Sequence, residues 1–125
     1  MPFTVPFALV VLPLQVSLDW VLRKANGYFV DSSDVAGGSP FIFKVGDKRG
    51  AISCVDDGVV GMKAGGTRRL LCPIATTYVE GVEDNKPGPI PNGFGPRQQI
   101  RRVMTVRKDV PGEYLFFEVR LRRVS

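Results

Sequence analysis

The sequence predicts an α+β fold in which an antiparallel β-sheet of five or six strands wraps around one short α-helix. Most of the chain consists of short segments in which apolar and polar residues alternate, as in strands with one buried face. Only residues 52–62 have the three- and four-residue apolar spacing of a helix. Fourteen glycines and ten prolines favour strands and loops over long helices. A single helix with one apolar face needs a sheet to bury that face.

Composition limits the function classes. The 125 residues are the length of one domain, large enough to bury a core. The net charge of +5 allows an acidic partner, but the same balance also keeps a small protein soluble. The sequence contains no histidine, which excludes serine–histidine and cysteine–histidine catalysis and the usual zinc sites.

Residues 1–15 are predicted to form an N-terminal extension or an edge strand ahead of a domain at residues 16–125. The apolar run at residues 7–12 is too short to span a membrane, and it lacks the basic start and cleavage site of a signal peptide. Three prolines in this stretch argue against a helix. We favour a buried or edge strand over a targeting remnant, and we expect no transmembrane segment.

Three strands are predicted before the helix. The first begins at Val16, and its apolar residues alternate as far as Leu22. Asn26-Gly27 is a hairpin turn signal, and a second strand follows at residues 28–33. The third strand, residues 40–45, places apolar side chains at positions 41, 43 and 45 on one face.

The helix carries Ile52, Val55, Val59 and Met62 on one face. Two glycines at positions 65 and 66 then end the helix and reverse the chain. A strand follows at residues 67–72 and stops at Pro73, which cannot continue a sheet interior. Residues 74–92 are predicted to be loop.

Residues 93–112 are predicted to be a long basic connection, and connections of this length tend to be functional or mobile. The last strand occupies residues 114–124, with apolar side chains at positions 115, 117, 119 and 121 on one face.

Cys54 and Cys72 are not spaced as a metal knuckle or a redox pair. Both lie in apolar surroundings, where a thiol behaves as a small hydrophobic group, and we favour two buried thiols. The alternative is a disulfide, which would imply an oxidising compartment.

Several segments together resemble one known family. They are Gly27-Tyr-Phe-Val-Asp-Ser-Ser33, Pro40-Phe-Ile-Phe43, Asp57-Gly-Val-Val-Gly-Met-Lys-Ala-Gly-Gly-Thr-Arg-Arg-Leu70, Tyr78, Pro89-Ile-Pro91 and Leu115-Phe-Phe-Glu-Val-Arg-Leu121. In this order they resemble the FKBP-type peptidyl-prolyl cis-trans isomerases, the immunophilins, over residues 16–124. The resemblance implies an FKBP-like sheet around the helix with a pocket between them.

The resemblance is closest to plant chloroplast members of the thylakoid lumen. It rests on Arg23-Lys-Ala-Asn-Gly-Tyr-Phe-Val30, Gly61-Met-Lys-Ala-Gly-Gly66 and Phe94-Gly-Pro-Arg97. It implies a location in the thylakoid lumen and an isomerase that assists protein folding or photosynthetic complex assembly. Its substrate would be a proline-containing protein.

The implied chemistry needs no nucleophile, metal or cofactor. Rotation about an X–Pro amide has a barrier of roughly 18–20 kcal/mol. An apolar site that twists the amide and excludes water weakens its resonance and lowers this barrier. A chain without histidine is compatible with such an enzyme.

The resemblance assigns nine site positions. It makes Asp31 the pocket carboxylate, and it gives the Ile52 backbone N–H and the Tyr78 hydroxyl to substrate carbonyls. Trp20, Phe41 and Phe117 are aromatic walls, Ile90 lines the rim, and Val30 and Val55 replace a wall phenylalanine and a floor tryptophan. For the three aromatic residues, core packing is the alternative. For the aspartate, the alternative is a turn that its own side chain stabilises.

The two valines remove aromatic area that would grip a prolyl ring. The sequence therefore predicts a wider pocket and reduced activity.

The basic residues of the insert are Arg97, Arg101, Arg102, Arg107 and Lys108. They form either a solvated face or a surface that docks an acidic protein at the pocket rim. The second reading gives an alternative function, a catalytically weak FKBP-fold binding module or assembly factor. No nucleic-acid motif is present, so we expect no nucleic-acid partner.

Overall fold

A computed structural model describes residues 15–35 and 38–125. The predictions for residues 1–14 lie outside the described residues. The sheet has five antiparallel strands, β1 Gln15–Lys24, β2 Phe29–Ser32, β3 Phe41–Lys44, β4 Thr67–Pro73 and β5 Tyr114–Val124. The order is β2-β1-β5-β4, and β3 also pairs with β1. The predicted α+β fold is confirmed.

The long strand β1 organises the sheet. One of its edges pairs with β5 over nearly its whole length. Its other edge is shared, because the first half of β1 pairs with β3 and the second half pairs with β2. The alternating side chains predicted for β1 and β5 are buried, from Val16 to Leu22 and from Leu115 to Leu121. They form most of the sheet side of the core.

The first helix, α1, spans Ser53–Gly58 and is shorter than predicted. Val59 and Met62 are buried as expected but lie beyond the helix end. The chain turns at Gly61, whose φ of +85° disfavours other residues. Gly58 also brings α1 close to β4, because a Cβ there would lie 2.7 Å from Leu70 Cδ1. The prediction of a helix over residues 52–62 is therefore wrong beyond Gly58.

A second helix, α2, spans Phe94–Arg102 and continues into a π-helical turn at Val103–Arg107. The prediction that residues 93–112 form a connection without a helix is therefore wrong. Ile100 and Val103 are buried, and Met104 packs against the core. Pro96 is tolerated because it lies in the first turn, where backbone N–H groups have no partner within the helix. None of the helices in the described residues is long and apolar enough to cross a membrane.

Cys54 and Cys72 form a disulfide that joins α1 to β4, with 5.8 Å between their Cα atoms. The preferred prediction of two free thiols is wrong, and the alternative is correct. Folding brings the two residues together because α1 packs against β4.

Two short features complete the loops around the sheet. A 3₁₀ turn at Ile74–Thr76 follows β4. The peptide bond between Gly88 and Pro89 is cis.

Candidate functional site

Tyr78 follows the 3₁₀ turn and points its side chain into the core, where it is buried. Its ring lies 6.3 Å from the ring of Phe117 in β5. Its hydroxyl donates a hydrogen bond of 2.5 Å to the carbonyl oxygen of Pro89. Burial, and secondarily the charge of Asp31, raise the pKa of Tyr78 well above its ordinary 10.0. A tyrosine is already protonated at neutral pH, and the upward shift of its pKa keeps the hydroxyl a hydrogen-bond donor under alkaline conditions too.

Ile52 lies immediately before α1, and its backbone N–H donates to the carbonyl of Gly88 at 2.9 Å. The buried carboxylate of Asp56 anchors α1, the helix that follows Ile52. Asp56 accepts a hydrogen bond from the Gly46 backbone at 2.8 Å and pairs with Lys48 at 2.7 Å. These contacts join α1 to the end of the β3 region and hold the Ile52 amide in place.

Asp31 is buried in β2 and accepts two backbone hydrogen bonds. One comes from its neighbour Ser32 at 2.9 Å, and the other comes from Asn92 at 2.6 Å. The second bond links β2 to a loop 61 residues further along the chain. The carboxylate therefore does more than stabilise a local turn.

All three of these polar groups contact one stretch, residues 87–92, which we call the covering segment. Its carbonyls at Gly88 and Pro89 accept from Ile52 and Tyr78, and its Asn92 amide donates to Asp31. The fit is close, because a Cβ on Gly88 would lie 2.8 Å from Cε1 of Phe41. The structure thus gathers the predicted polar groups around a proline-rich part of the chain itself.

The hollow that remains beside Tyr78 is small. It has a volume of about 30 Å³ and is bordered by Ile52, Tyr78 and Pro87 together with neighbouring polar residues. A hollow of this size has room for a water molecule or two, but a prolyl ring needs more space. Neither Val30 nor Val55 borders this hollow, so the prediction of a wider pocket at those two positions stays a prediction.

The other predicted site residues lie around the same core. Trp20, Val30, Val55 and Phe117 are buried. Phe41 is half-buried, and its ring stacks on that of Phe43 at 5.1 Å. Ile90, in the covering segment, also packs against the core. Their roles as walls, floor and rim remain predictions.

The five basic residues of the insert lie on α2 and just after it. Arg97 forms an ion pair with Asp84, and its Nε donates to the carbonyl of Pro91 at 2.8 Å. Arg107 pairs with Glu113, while Arg101 donates to Gln98 at 3.2 Å. Arg102 and Lys108 are exposed. Arg97, which is half-buried, thus contacts the covering segment directly.

Sequence reasoning missed Gly88, Pro89 and Asn92 as parts of the site. Their proline- and glycine-rich stretch indicated a loop, but nothing in it indicates which buried groups its backbone contacts. Within residues 15–35 and 38–125 there is no group of three or more side chains that could hold a metal ion. The arrangement can bind peptide carbonyls and exclude water.

Comparison with known proteins gives a consistent picture. The model of the FKBP-type peptidyl-prolyl cis-trans isomerase family matches residues 13–122. The chain is 38% identical over 111 residues to the chloroplastic peptidyl-prolyl cis-trans isomerase FKBP16-1 of Arabidopsis thaliana, a match that covers 87% of this chain and 48% of that protein.

Two further relatives match over shorter stretches. The chloroplastic FKBP16-3 of the same plant is 37% identical over 68 residues, or 54% of this chain and 30% of the relative. FK506-binding protein 4 of Mycosarcoma maydis is 39% identical over 64 residues, or 51% of this chain and 16% of the relative. The chain therefore matches about half or less of the length of each of these relatives.

Proposed function

Because the chain belongs to the FKBP-type peptidyl-prolyl cis-trans isomerase family, we propose that it binds proline-containing protein segments and catalyses their cis–trans isomerisation. One observation carries the proposal. The Ile52 N–H and the Tyr78 O–H donate to the carbonyls of two consecutive residues, the second of which is a proline. Two donors with this separation can bind two consecutive carbonyls of an incoming prolyl peptide in the same way.

In the proposed mechanism the site holds the prolyl amide in place and excludes water from it. Tyr78 and Ile52 anchor the carbonyls of the peptide, and Phe41 and Phe117 with their apolar neighbours exclude water. A prolyl amide held out of plane in these surroundings loses resonance stabilisation, and its barrier of roughly 18–20 kcal/mol falls. Burial, and secondarily the charge of Asp31, raise the pKa of the Tyr78 hydroxyl, so it remains a donor at alkaline pH as well.

Tyr78→Phe tests the proposal. It removes one donor and leaves the Pro89 carbonyl without its partner, so we expect a loss of stability of about 1–2 kcal/mol. We also expect kcat/KM for a prolyl peptide to fall about threefold to tenfold, because a hydrogen bond contributes roughly 0.5–1.5 kcal/mol. A protease-coupled isomerisation assay measures the rate, and urea denaturation measures the stability.

Tyr114→Phe is the matched control. This tyrosine is half-buried and donates to the carbonyl of Ala25 at 3.3 Å, in another part of the molecule. We expect its kcat/KM to equal that of the wild type. A wild-type rate equal to the uncatalysed rate would remove the proposed activity.

A binding module or assembly factor is the second candidate, and the covered site favours it. The covering segment already occupies both donors, and Arg102 and Lys108 remain exposed at the insert. In this case the fold would hold an acidic protein surface with little catalysis. The isomerisation assay separates the two candidates, because only the first requires turnover.

We propose a chloroplast location, and within it the thylakoid lumen. The relatives in Arabidopsis thaliana that are named chloroplastic support the organelle. The Cys54–Cys72 disulfide supports an oxidising compartment. Proteins that fold or assemble there would supply the proline-containing segments.

A further inference from the structure

The insert contacts the proposed peptide site through one side chain. Arg97 lies in the second half of the first turn of α2, and its backbone N–H donates to the carbonyl of Gly93. Its guanidinium reaches back to the carbonyl of Pro91 and to Asp84 at the same time. The side chain is 21% exposed, so most of it is enclosed by the groups it contacts.

The covering segment is bound from both sides. On the inner side its backbone bonds to Ile52, Tyr78 and Asp31. On the outer side, the guanidinium of Arg97 donates a hydrogen bond to the backbone carbonyl of Pro91. Arg97 thus adds a contact from the insert to those that hold the segment on its inner side.

We propose that residues 87–92 are an internal occupant of the prolyl-peptide site and that Arg97 is the latch that holds them there. The proposal rests on the proposed function, because the segment occupies the same two donors that a substrate would use. A substrate peptide must displace the segment before it can bind. The covering segment is therefore a built-in inhibitor of the site, and the contacts of Arg97 set how often the site is open.

The partners of Arg97 indicate what would open the latch. Its partners are an exposed carboxylate, Asp84, and a backbone carbonyl. A stronger anionic partner at α2 would compete with both for the guanidinium, since arginine prefers paired charged acceptors. Binding of such an anionic partner at α2 would release the covering segment and open the site.

Arg97→Met tests the latch, because it keeps an unbranched side chain about as long as the aliphatic part of arginine and removes both guanidinium contacts. If the site is mostly closed in the wild type, its apparent affinity is reduced by the open fraction. We expect the KM for a prolyl peptide to fall about tenfold in the variant with kcat unchanged. We also expect the amide hydrogens of Ile52 and Asn92 to exchange with solvent about tenfold faster.

Three controls accompany the measurement. Arg69→Met removes an exposed arginine that pairs with Glu118 in the sheet, and it should change neither KM nor exchange. Arg97→Lys keeps the charge but has no planar guanidinium. Its exchange rates at the Ile52 and Asn92 amides should lie between those of the wild type and the methionine variant. The Leu121 amide, which donates to the carbonyl of Gly66, is an internal reference. Its hydrogen should exchange at the wild-type rate in every folded variant.

The outcomes distinguish the latch from the proposed function. Unchanged exchange at Ile52 and Asn92 in folded Arg97→Met and Arg97→Lys would overturn the latch. Faster exchange with a lower KM supports both. If exchange becomes faster but neither the wild type nor the variant binds or turns over prolyl peptides, the latch stands and the isomerase proposal fails.

Discussion

Phe117→Ala is expected to lower the free energy of unfolding by about 3–5 kcal/mol, the cost of deleting a fully buried aromatic side chain. Phe117 is the largest side chain among the fully buried residues. It lies in β5 and pairs with Leu22 of β1 on one side and Leu70 of β4 on the other. Urea denaturation measures the loss, and an unchanged m-value would show that the denatured state is the same.

The adjacent residue is a matched control, since Phe116 has the same side chain on the opposite face of the same strand. It is only half-buried, so Phe116→Ala is expected to cost about 1 kcal/mol. Equal losses for the two variants would contradict the assignment of the buried face. Phe117→Ala also removes the ring against which Tyr78 packs, so its isomerase activity should fall further than stability alone explains.

The second large effect concerns the disulfide. The Cys54→Ala/Cys72→Ala double variant is expected to be about 3 kcal/mol less stable than the oxidised wild type, because the bond closes a loop across a separation of 18 residues. Thermal or urea unfolding measures the difference. The bond ties α1 to β4, so its loss frees the helix that carries the Ile52 amide at its start.

Reduction provides the control for this prediction. A reductant should lower the stability of the wild type toward that of the double variant and leave the double variant unchanged. Alkylation under denaturing conditions without a reductant should label no cysteine in the purified protein. Labelling of two thiols per chain in protein kept under oxidising conditions would show that the bond does not form.

The elements with a clear repeat were predicted well. In β1 and β5 the apolar side chains recur at every second position, and both strands are buried on the predicted face. The sheet-and-helix architecture followed, because a lone apolar helix face has few ways to be buried. The resemblance then identified the family correctly, through segments distributed along most of the chain.

The second helix was missed because its first turn looks like a loop. Gly93, Gly95 and Pro96 are residues typical of turns, and the charged residues that follow hide the spacing of the buried Ile100 and Val103. The covering segment was missed for a different reason. Its contacts are made by backbone carbonyls and one amide, and a sequence pattern does not report which distant groups these atoms meet.

The sequence pattern also did not decide whether Cys54 and Cys72 are bonded to each other. A separation of 18 residues is compatible with two buried thiols or with a bond, and composition does not decide between them. What decides is the packing of α1 on β4, which becomes visible only in the folded chain. The roles of the nine site residues remain predictions, to be tested by the variants described above.

The central claim is that a prolyl peptide binds where the covering segment now lies. Titration of the ¹⁵N-labelled protein with a short proline-containing peptide, followed by NMR, tests it most directly. We expect the Ile52 and Asn92 amide signals to shift together and to saturate with one apparent Kd. Peptide-induced shifts confined to α2, with both of these amides unmoved at saturation, would contradict the account.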